Sequence, residues 1–185
     1  MKTHEPLAGL RLVERKFEAT SGAMERRLLR LLAQRLVGEL AGDVAAVVAT
    51  VTPDFRLVNH AEAPGPPICS ADELGAALAG AHQAGVRAIW LELESLVVDS
   101  GGLAFAGATC IVMTGALLQR ADDQAGLYLL EKRVAGFFET RGDLISVETV
   151  YSPPDDRAPV RVESSLLPDA AEARAILDRL TEISI

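Results

Sequence analysis

Cysteine, histidine and aromatic residues are scarce in this chain of 185 residues. It contains two cysteines and three histidines, and aromatic side chains make up 4% of the sequence. Cys69 and Cys110 are too few for a disulfide framework and lack metal-ligand spacing. The three histidines are dispersed along the chain and predict no metal site. We therefore expect two free thiols in a reducing compartment, with no cofactor and no bound metal.

Long apolar runs and an excess of positive charge are also missing. No run approaches the roughly 20 apolar residues that a membrane-spanning helix needs, and residues 1–18 lack the continuous apolar core of a signal peptide. The formal net charge of -8 opposes nonspecific binding to nucleic acid or to an anionic membrane surface. The sequence predicts a cytoplasmic protein with neither of these partners.

Two helices are predicted near the start of a single domain. A stripe of leucines indicates the first, which runs from an N-cap at Thr20–Ser21 to Leu40 and is ended by Gly42. Four arginines of this helix, Arg26 to Arg35, alternate with leucines and favour a solvated basic face. Asp43 is the predicted cap of a second helix that continues to Val51. The segment 1–19 is either a short helix or an arm packed on the domain.

A strand and a third helix follow. Phe55–His60 is predicted as a short strand, and the prolines and glycine of residues 61–69 rule out regular structure there. Ser70 and Glu73 match a capping box, which predicts a helix reaching about Gln83.

Four strands are predicted next, as an antiparallel meander: Val86–Asp99, Leu103–Leu118, Leu127–Phe138 and Leu144–Tyr151. Leu103–Leu118 is almost uncharged, and helix is the main alternative for it. Its β-branched residues and flanking glycines favour strand. Helices followed by a meander predict an α+β arrangement.

The end of the chain predicts one additional helix. Prolines end the sheet, a charged linker follows, and Asp169 with Glu172 forms another capping pair. This helix is expected to pack on the body or on a partner subunit. The organisation is thus an N-terminal arm at 1–19, a core domain at 20–152, and a linker with a helix at 153–185.

The order of these elements resembles the nuclear transport factor 2-like superfamily, in particular its SnoaL-like members. The matching stretches are GDVAAVVATVTPDF, the loop HAEAPGPP and the closing hairpin FFETRGDLISVETVYS, within about 20–152. The resemblance implies a cystatin-like cone in which three N-terminal helices pack on a curved antiparallel sheet. The superfamily includes ketosteroid isomerases, limonene-epoxide hydrolases, scytalone dehydratases, polyketide cyclases and noncatalytic binding proteins. It therefore implies a pocket and not one reaction.

His60 is the first candidate catalytic residue. In ketosteroid isomerases the base lies at the end of the strand after the second helix, which here corresponds to Asn59–His60. The carboxylate is absent, but a neutral histidine can accept a proton near pH 7. The alternatives are that His60 lines the pocket or is a partly exposed, hydrogen-bonded residue.

Glu148 is the second candidate. It lies on the face of the last strand opposite Tyr151, together with Val150, and the resemblance implies that this face lines the cavity. A carboxylate in an apolar cone has a raised pKa and can exchange a proton. The alternative is an ion pair with Lys132 or Arg133 on the neighbouring strand.

The residues of epoxide hydrolysis are missing from their expected places. The resemblance implies one arginine and two acids. One acid would stand at the position of Val150. The arginine and the second acid would stand on the strand where this chain has Ala108, Cys110 and Val112. Hydrolysis by that mechanism is therefore excluded at the sequence level.

Other residues of the sheet are candidate ligand contacts, namely Asn59, Trp90, Cys110, Tyr128 and Val150. For Trp90 and Tyr128, burial in the core is the favoured alternative to stacking on a flat ligand. Cys110 is interpreted as an inert buried thiol, because small apolar residues surround it in sequence. Glu92 and Glu94 share a face and are interpreted as the solvated side of an edge strand.

Together these patterns predict a protein that binds a small apolar or aromatic molecule in a cone-shaped pocket. The alternative is a cofactor-independent isomerase, dehydratase or cyclase that acts on a carbonyl compound. In that case His60 takes a proton, and Glu148 or Tyr128 supports the oxyanion or returns the proton. We also expect a homodimer formed through the outer face of the sheet.

Overall fold

The computed structural model describes residues 4–60, 66–154 and 157–182. Within them lie five α-helices: α1 Ala8–Ala19, α2 Ala23–Ala41, α3 Val44–Val48, α4 Ala71–Ala84 and α5 Ala170–Glu182. The strands are β1 Val51–Asn59, β2 Val86–Asp99, β3 Gly102–Thr114, β4 Leu127–Arg141, β5 Leu144–Tyr151 and β6 Val160–Val162. The predicted α+β class is confirmed.

One curved, open sheet holds all six strands, in the order β1-β5-β4-β3-β2 with β6 beside β4. Strands β2 to β5 form the predicted antiparallel meander. Strand β1 pairs in parallel with β5, so the complete sheet is mixed and not purely antiparallel. The short strand β6, which the sequence did not predict, pairs with the first residues of β4.

Helix α2 lies at the centre of the helical layer because it is apolar on most of its circumference. Its leucines at 28, 29, 32 and 36 are almost completely buried, and α1, α3, α5 and β2 all pack against it. The predicted leucine stripe is therefore the core-facing surface, except for Met24, which is 39% exposed. Helix α2 covers one side of the cavity that is described below.

The predicted helix ends depend on local hydrogen bonds. Gly42 ends α2 in the left-handed conformation, at φ 66°. The Asp43 carboxylate accepts a hydrogen bond of 2.9 Å from the Ala46 amide at the start of α3. The Ser70 hydroxyl accepts one of 3.1 Å from the Glu73 amide at the start of α4. These caps satisfy amides that have no partner within their helices.

Other boundaries differ from the sequence prediction. The predicted first helix begins three residues late, at Ala23, because Thr20 belongs to the end of α1. Helix α3 ends at Val48, and β1 already begins at Val51. Pro53 lies inside β1 although it cannot donate a ladder hydrogen bond. It is tolerated because β1 is an edge strand of the sheet.

Helices α1 and α5 flank α2. Of the segment 1–19, Ala8–Ala19 form helix α1, and Phe17 of this helix lies completely buried beneath the guanidinium groups of Arg26 and Arg30. In α5, four apolar residues are buried, and the carbonyl of Leu180 accepts a hydrogen bond of 3.0 Å from Arg30. Helix α5 therefore packs back on the body of the same chain. None of the described helices is long and apolar enough to cross a bilayer.

Candidate functional site

A cavity of about 120 Å³ lies between α2 and the sheet. Four residues of α2 line it, and eight more come from strands β2 to β5. The full lining is Leu32, Arg35, Leu36, Glu39, Ile89, Leu91, Phe105, Thr109, Val134, Phe138, Glu148 and Val150. Most of these side chains are apolar, so the few polar groups among them determine what the cavity can recognise.

Arg35 is the central polar residue of the cavity. Its side chain is only 6% exposed, and its guanidinium group lies 5.7 Å from the ring centre of Phe138. The Nε atom is 3.1 Å from the Glu39 carboxylate, one helical turn away. The Nη2 atom donates to the Glu148 carboxylate of β5 at 2.7 Å. A buried guanidinium group thus bridges one carboxylate from the helix and one from the sheet.

The remaining nitrogen of this guanidinium group is not satisfied in the same way. Arg35 Nη1 is buried and has no hydrogen-bond partner among the described residues. Leaving a buried donor unpaired costs about 1–3 kcal/mol, and more for a charged group. Because Arg35 lines the cavity, a hydrogen-bond acceptor placed there can remove this cost.

Burial and the close pairing of charges shift the pKa values of both Glu39 and Arg35. Burial raises the pKa of Glu39 above 4.5, the attraction of Arg35 opposes this rise, and the nearby charge of Glu148 adds to it. Burial of Arg35 acts to lower its own pKa, but the two carboxylates outweigh that effect, so the pKa is raised.

The sequence contains a signal for Arg35 and Glu39 that the prediction missed. Residues 32, 35, 36 and 39 follow the i, i+3, i+4, i+7 spacing of one helix face. Leu32 and Leu36 are deeply buried on that face, so the charged residues between and after them must also turn inward. The predicted solvated basic face of this helix was therefore wrong for Arg35, which is 5% exposed.

Glu148 and Val150 lie where the resemblance implied, because both line the cavity. The partner of Glu148 is Arg35 of α2, and not Lys132 or Arg133 of the neighbouring strand. An arginine and two acids do meet in the cavity, but α2 and β5 supply them, so they do not occupy the places that the resemblance to epoxide hydrolases implies.

His60 lies on the other side of the sheet from the cavity. Its imidazole ring stacks on the Tyr151 ring, with centroids 4.5 Å apart and an angle of 9° between the planes. Tyr151 follows the cavity-lining Val150, and successive side chains of a strand point to opposite faces. His60 is itself exposed. The expectation that His60 and Glu148 share one pocket is therefore not met, because strand alternation separates them.

The remaining sequence candidates also lie outside the cavity. Trp90 and Cys110 are directly opposite each other on β2 and β3, and both are completely buried on the face away from the cavity. Tyr128 is buried, and its hydroxyl group donates to Asp123 at 3.0 Å. Asn59 is exposed at the end of β1. For Trp90 and Tyr128, the favoured prediction of burial agrees with these positions.

The raised pKa of Glu39 predicts how stability depends on pH. Between about 4.5, the pKa in the unfolded chain, and the higher pKa in the folded state, the folded protein binds more protons than the unfolded one. The contribution of Glu39 to the free energy of unfolding is therefore complete below this window and is lost as pH rises through it. Glu39→Gln should remove this dependence, and urea unfolding at a series of pH values measures it.

Glu18→Gln is the matched control, because Glu18 is an exposed carboxylate at the end of α1. Its unfolding free energy should follow the pH dependence of the wild type. An unchanged pH dependence in Glu39→Gln would show that the Glu39 carboxyl has no special environment.

Comparison with known proteins connects this geometry to a fold. No protein-family model matches the chain, and no curated protein sequence does so either. Among solved structures, a protein of Shewanella putrefaciens CN-32, provisionally assigned as a SnoaL-like polyketide cyclase, superposes with a TM-score of 0.60 at 8% identity. That match covers 82% of this chain and 90% of the other.

Two further structures give similar values. A provisionally assigned polyketide cyclase from Xanthomonas campestris pv. campestris matches with a TM-score of 0.53 at 18% identity, over 70% of this chain and 92% of its own. An LEH-like epoxide hydrolase from M. tuberculosis matches with a TM-score of 0.53 at 13% identity, over 84% and 92%. At such low identity the likeness concerns the fold and not the reaction. The chain has the nuclear transport factor 2-like fold of the SnoaL-like proteins.

Proposed function

We propose that the cavity beneath α2 binds a small, largely apolar molecule that carries one hydrogen-bond acceptor, such as a carbonyl oxygen. The observation that carries the proposal is Arg35 Nη1, a buried donor that has no partner among the described residues and belongs to a cavity-lining side chain. An acceptor held there gains a charge-assisted hydrogen bond, which is stronger than a bond between neutral groups. The apolar lining contributes the rest of the affinity through burial of the ligand surface.

The volume of the cavity limits the ligand to a few atoms. At about 120 Å³, the space is somewhat smaller than the apolar cavity of about 150 Å³ that holds a benzene molecule in a well-studied engineered protein. A ligand of about five or six non-hydrogen atoms is therefore the largest that we expect to fit without rearrangement. Larger molecules require the wall formed by Leu32, Leu36 and Leu91 to move.

The charge of the bridge selects a neutral ligand over an anion. Arg35 already faces two carboxylates, Glu39 and Glu148. A third carboxylate would place a further negative charge in a site of low polarity, where uncompensated charge is costly. A ketone or aldehyde oxygen accepts the hydrogen bond without that cost.

The proposal predicts an order of affinities among three molecules of similar size, with about five or six non-hydrogen atoms each. Cyclopentanone should bind about 10–100-fold more tightly than cyclopentane, as expected for one hydrogen bond to a charged donor. Isobutyrate should bind more weakly than cyclopentanone because of its charge. Titrations followed by amide chemical shifts in two-dimensional NMR measure all three dissociation constants.

A variant that fills the cavity provides the structural control. Leu91→Phe should abolish cyclopentanone binding, because Leu91 lines the cavity. Val160→Phe adds the same ring size on β6, where Val160 is 60% exposed, and should bind normally. Equal affinity for cyclopentane and cyclopentanone, or unchanged binding by Leu91→Phe, would contradict the proposal. Circular dichroism of each variant checks its fold.

Acid-base catalysis on a carbonyl compound is the second candidate function, and Glu39 is the observation that favours it. Burial raises the pKa of the Glu39 carboxyl, and a carboxyl with a raised pKa is a stronger base when ionised, so it can accept and return a proton. Arg35 would hold the carbonyl oxygen and stabilise the negative charge that develops on it during enolisation. Glu39 would take the α-proton and return it, so that no cofactor is consumed.

Proton exchange tests this candidate separately from binding. Wild-type protein should catalyse exchange of the α-protons of cyclopentanone with D₂O, followed by NMR. Glu39→Gln should reduce the rate about 10²–10⁴-fold, the usual contribution of a general acid-base group. His60→Ala should retain full activity, because His60 stacks on Tyr151 away from the cavity.

The outcomes distinguish the two functions. Exchange that depends on His60 and not on Glu39 would overturn the assignment of the base. Absence of exchange in a wild type that binds cyclopentanone would leave a binding protein without this chemistry.

We also propose that the chain forms a homodimer through the sheet face opposite the cavity. Val97, Phe137 and Tyr151 are 59%, 49% and 46% exposed and border one shallow depression. The rings of Phe137 and Tyr151 are in edge-to-face contact, 6.2 Å apart. Exposed apolar groups that cluster in this way favour a protein interface.

Light scattering measures the predicted assembly directly. The wild type should have twice the monomer mass of 19.6 kDa. Phe137→Glu should shift the protein to the monomer, because a charge would be buried in the interface. Val160→Glu introduces the same charge at an exposed position of β6 and should remain dimeric. A monomeric wild type at micromolar concentration would disprove the dimer.

A further inference from the structure

A second group of polar residues lies on the sheet face away from the cavity. His4, Glu92 and Cys110 place one nitrogen, one oxygen and one sulfur atom within 4.8 Å of one another. His4 Nδ1 is 2.8 Å from Glu92 Oε1 and 3.9 Å from Cys110 Sγ. Ile89 and Leu91 line the cavity, so the alternation of β2 places Glu92 on the opposite face.

Three separate parts of the chain converge at this point. Glu92 belongs to β2, Cys110 belongs to β3, and His4 precedes α1. The cross-strand partner of Glu92 is Ala108, whose small side chain leaves room for the carboxylate beside Cys110. The group is shielded from solvent, because the side chains of His4 and Glu92 are 17% and 11% exposed and Cys110 is completely buried.

The donor atoms match the preferences of zinc. Imidazole nitrogen, carboxylate oxygen and thiolate sulfur are the three ligand types that Zn²⁺ binds in proteins. Around a tetrahedral zinc ion, bond lengths of about 2.0–2.3 Å separate nitrogen from oxygen by about 3.3 Å and nitrogen from sulfur by about 3.6 Å. The observed separations of 2.8 and 3.9 Å differ from these values by about half an ångström or less.

A fourth residue occupies the position of an orienting partner. The other ring nitrogen of His4, Nε2, lies 3.5 Å from Glu131 Oε2. Histidine ligands of metals commonly donate this second N–H group to a carboxylate, which fixes the tautomer and the ring orientation. Glu131 is held in turn by Arg157, at 2.8 Å from its other oxygen.

We propose that His4, Glu92 and Cys110 bind one Zn²⁺ ion, with Glu131 as the carboxylate that orients His4. The ion would fasten the segment before α1 to strands β2 and β3. Its binding replaces the proton of the Cys110 thiol, which is released, and the fourth coordination position is available to a water molecule. No local sequence pattern predicts this site, because its ligands are 88 and 18 residues apart in the chain.

Cobalt provides a direct probe, because Co²⁺ occupies zinc sites and absorbs visible light. The chain, freed of any affinity tag and of metal, should bind one equivalent of Co²⁺. A thiolate-to-cobalt charge-transfer band should appear in the near ultraviolet, and added Zn²⁺ should remove it. Cys110→Ser should lose the band, whereas Cys69→Ser should keep it, because Cys69 is an exposed cysteine outside the group.

Further variants test the other ligands without touching the core. His4→Ala and Glu92→Gln should each weaken Co²⁺ binding at least tenfold, and His82→Ala should bind as the wild type does. Glu131→Gln should weaken it about 10–100-fold, as is usual for an orienting carboxylate. Circular dichroism checks that each variant is folded.

Several results would overturn the site. They are a wild type without the charge-transfer band, a band lost in Cys69→Ser, and normal affinity in both His4→Ala and Glu92→Gln. In each case the group is a hydrogen-bonded cluster of His4 with Glu92 and Glu131 that binds no metal. The melting temperature also distinguishes a zinc site from a cluster that binds no metal. Only a zinc-binding wild type gains thermal stability with increasing Zn²⁺ concentration.

Discussion

The buried charge of Arg35 is the constraint on which the geometry of the cavity depends. A guanidinium group that is 6% exposed must be paired, and it obtains one carboxylate from α2 and one from β5. Removal of one partner from such a group costs about 3–5 kcal/mol, whereas well-packed apolar side chains in place of the whole group are often as stable. Stability alone therefore does not explain why Arg35, Glu39 and Glu148 are charged. The proposed binding of a polar ligand would explain it, because Arg35 Nη1 has no hydrogen-bond partner among the described residues.

The two faces of the sheet carry two separate groups of polar residues. On β2, Leu91 borders the cavity, while its neighbour Glu92 lies with Cys110 on the other face. Helix α2 covers the first face and supplies its charged residues. The segment before α1 reaches the second face and supplies His4. A single strand thus contributes to both places because its side chains alternate, and neither group of polar residues disturbs the other.

Much of the fold was predictable from local patterns. The leucine spacing of α2, the caps at Asp43 and Ser70, and the alternation of the meander each depend on residues only a few positions apart. The parallel pairing of β1 with β5 was not predictable in this way, because it joins residues almost 100 positions apart. The same limit explains why the sequence did not predict on which face of the sheet the His60 ring lies. Its position at the end of β1 was foreseen, but the face on which its ring lies is set by its stacking on Tyr151.

The sequence by itself determined the helices, the strands and their order, since periodicity and capping act within a few residues of the chain. It also determined that Glu148 and Val150 share one face of β5. Only the tertiary structure decided which groups meet: Arg35 with Glu148 in the cavity, and His4 with Glu92 and Cys110 on the opposite face. These side-chain contacts depend on how α2 and the N-terminal segment pack on the sheet. That packing is a collective result of the whole core, and no short stretch of residues contains it.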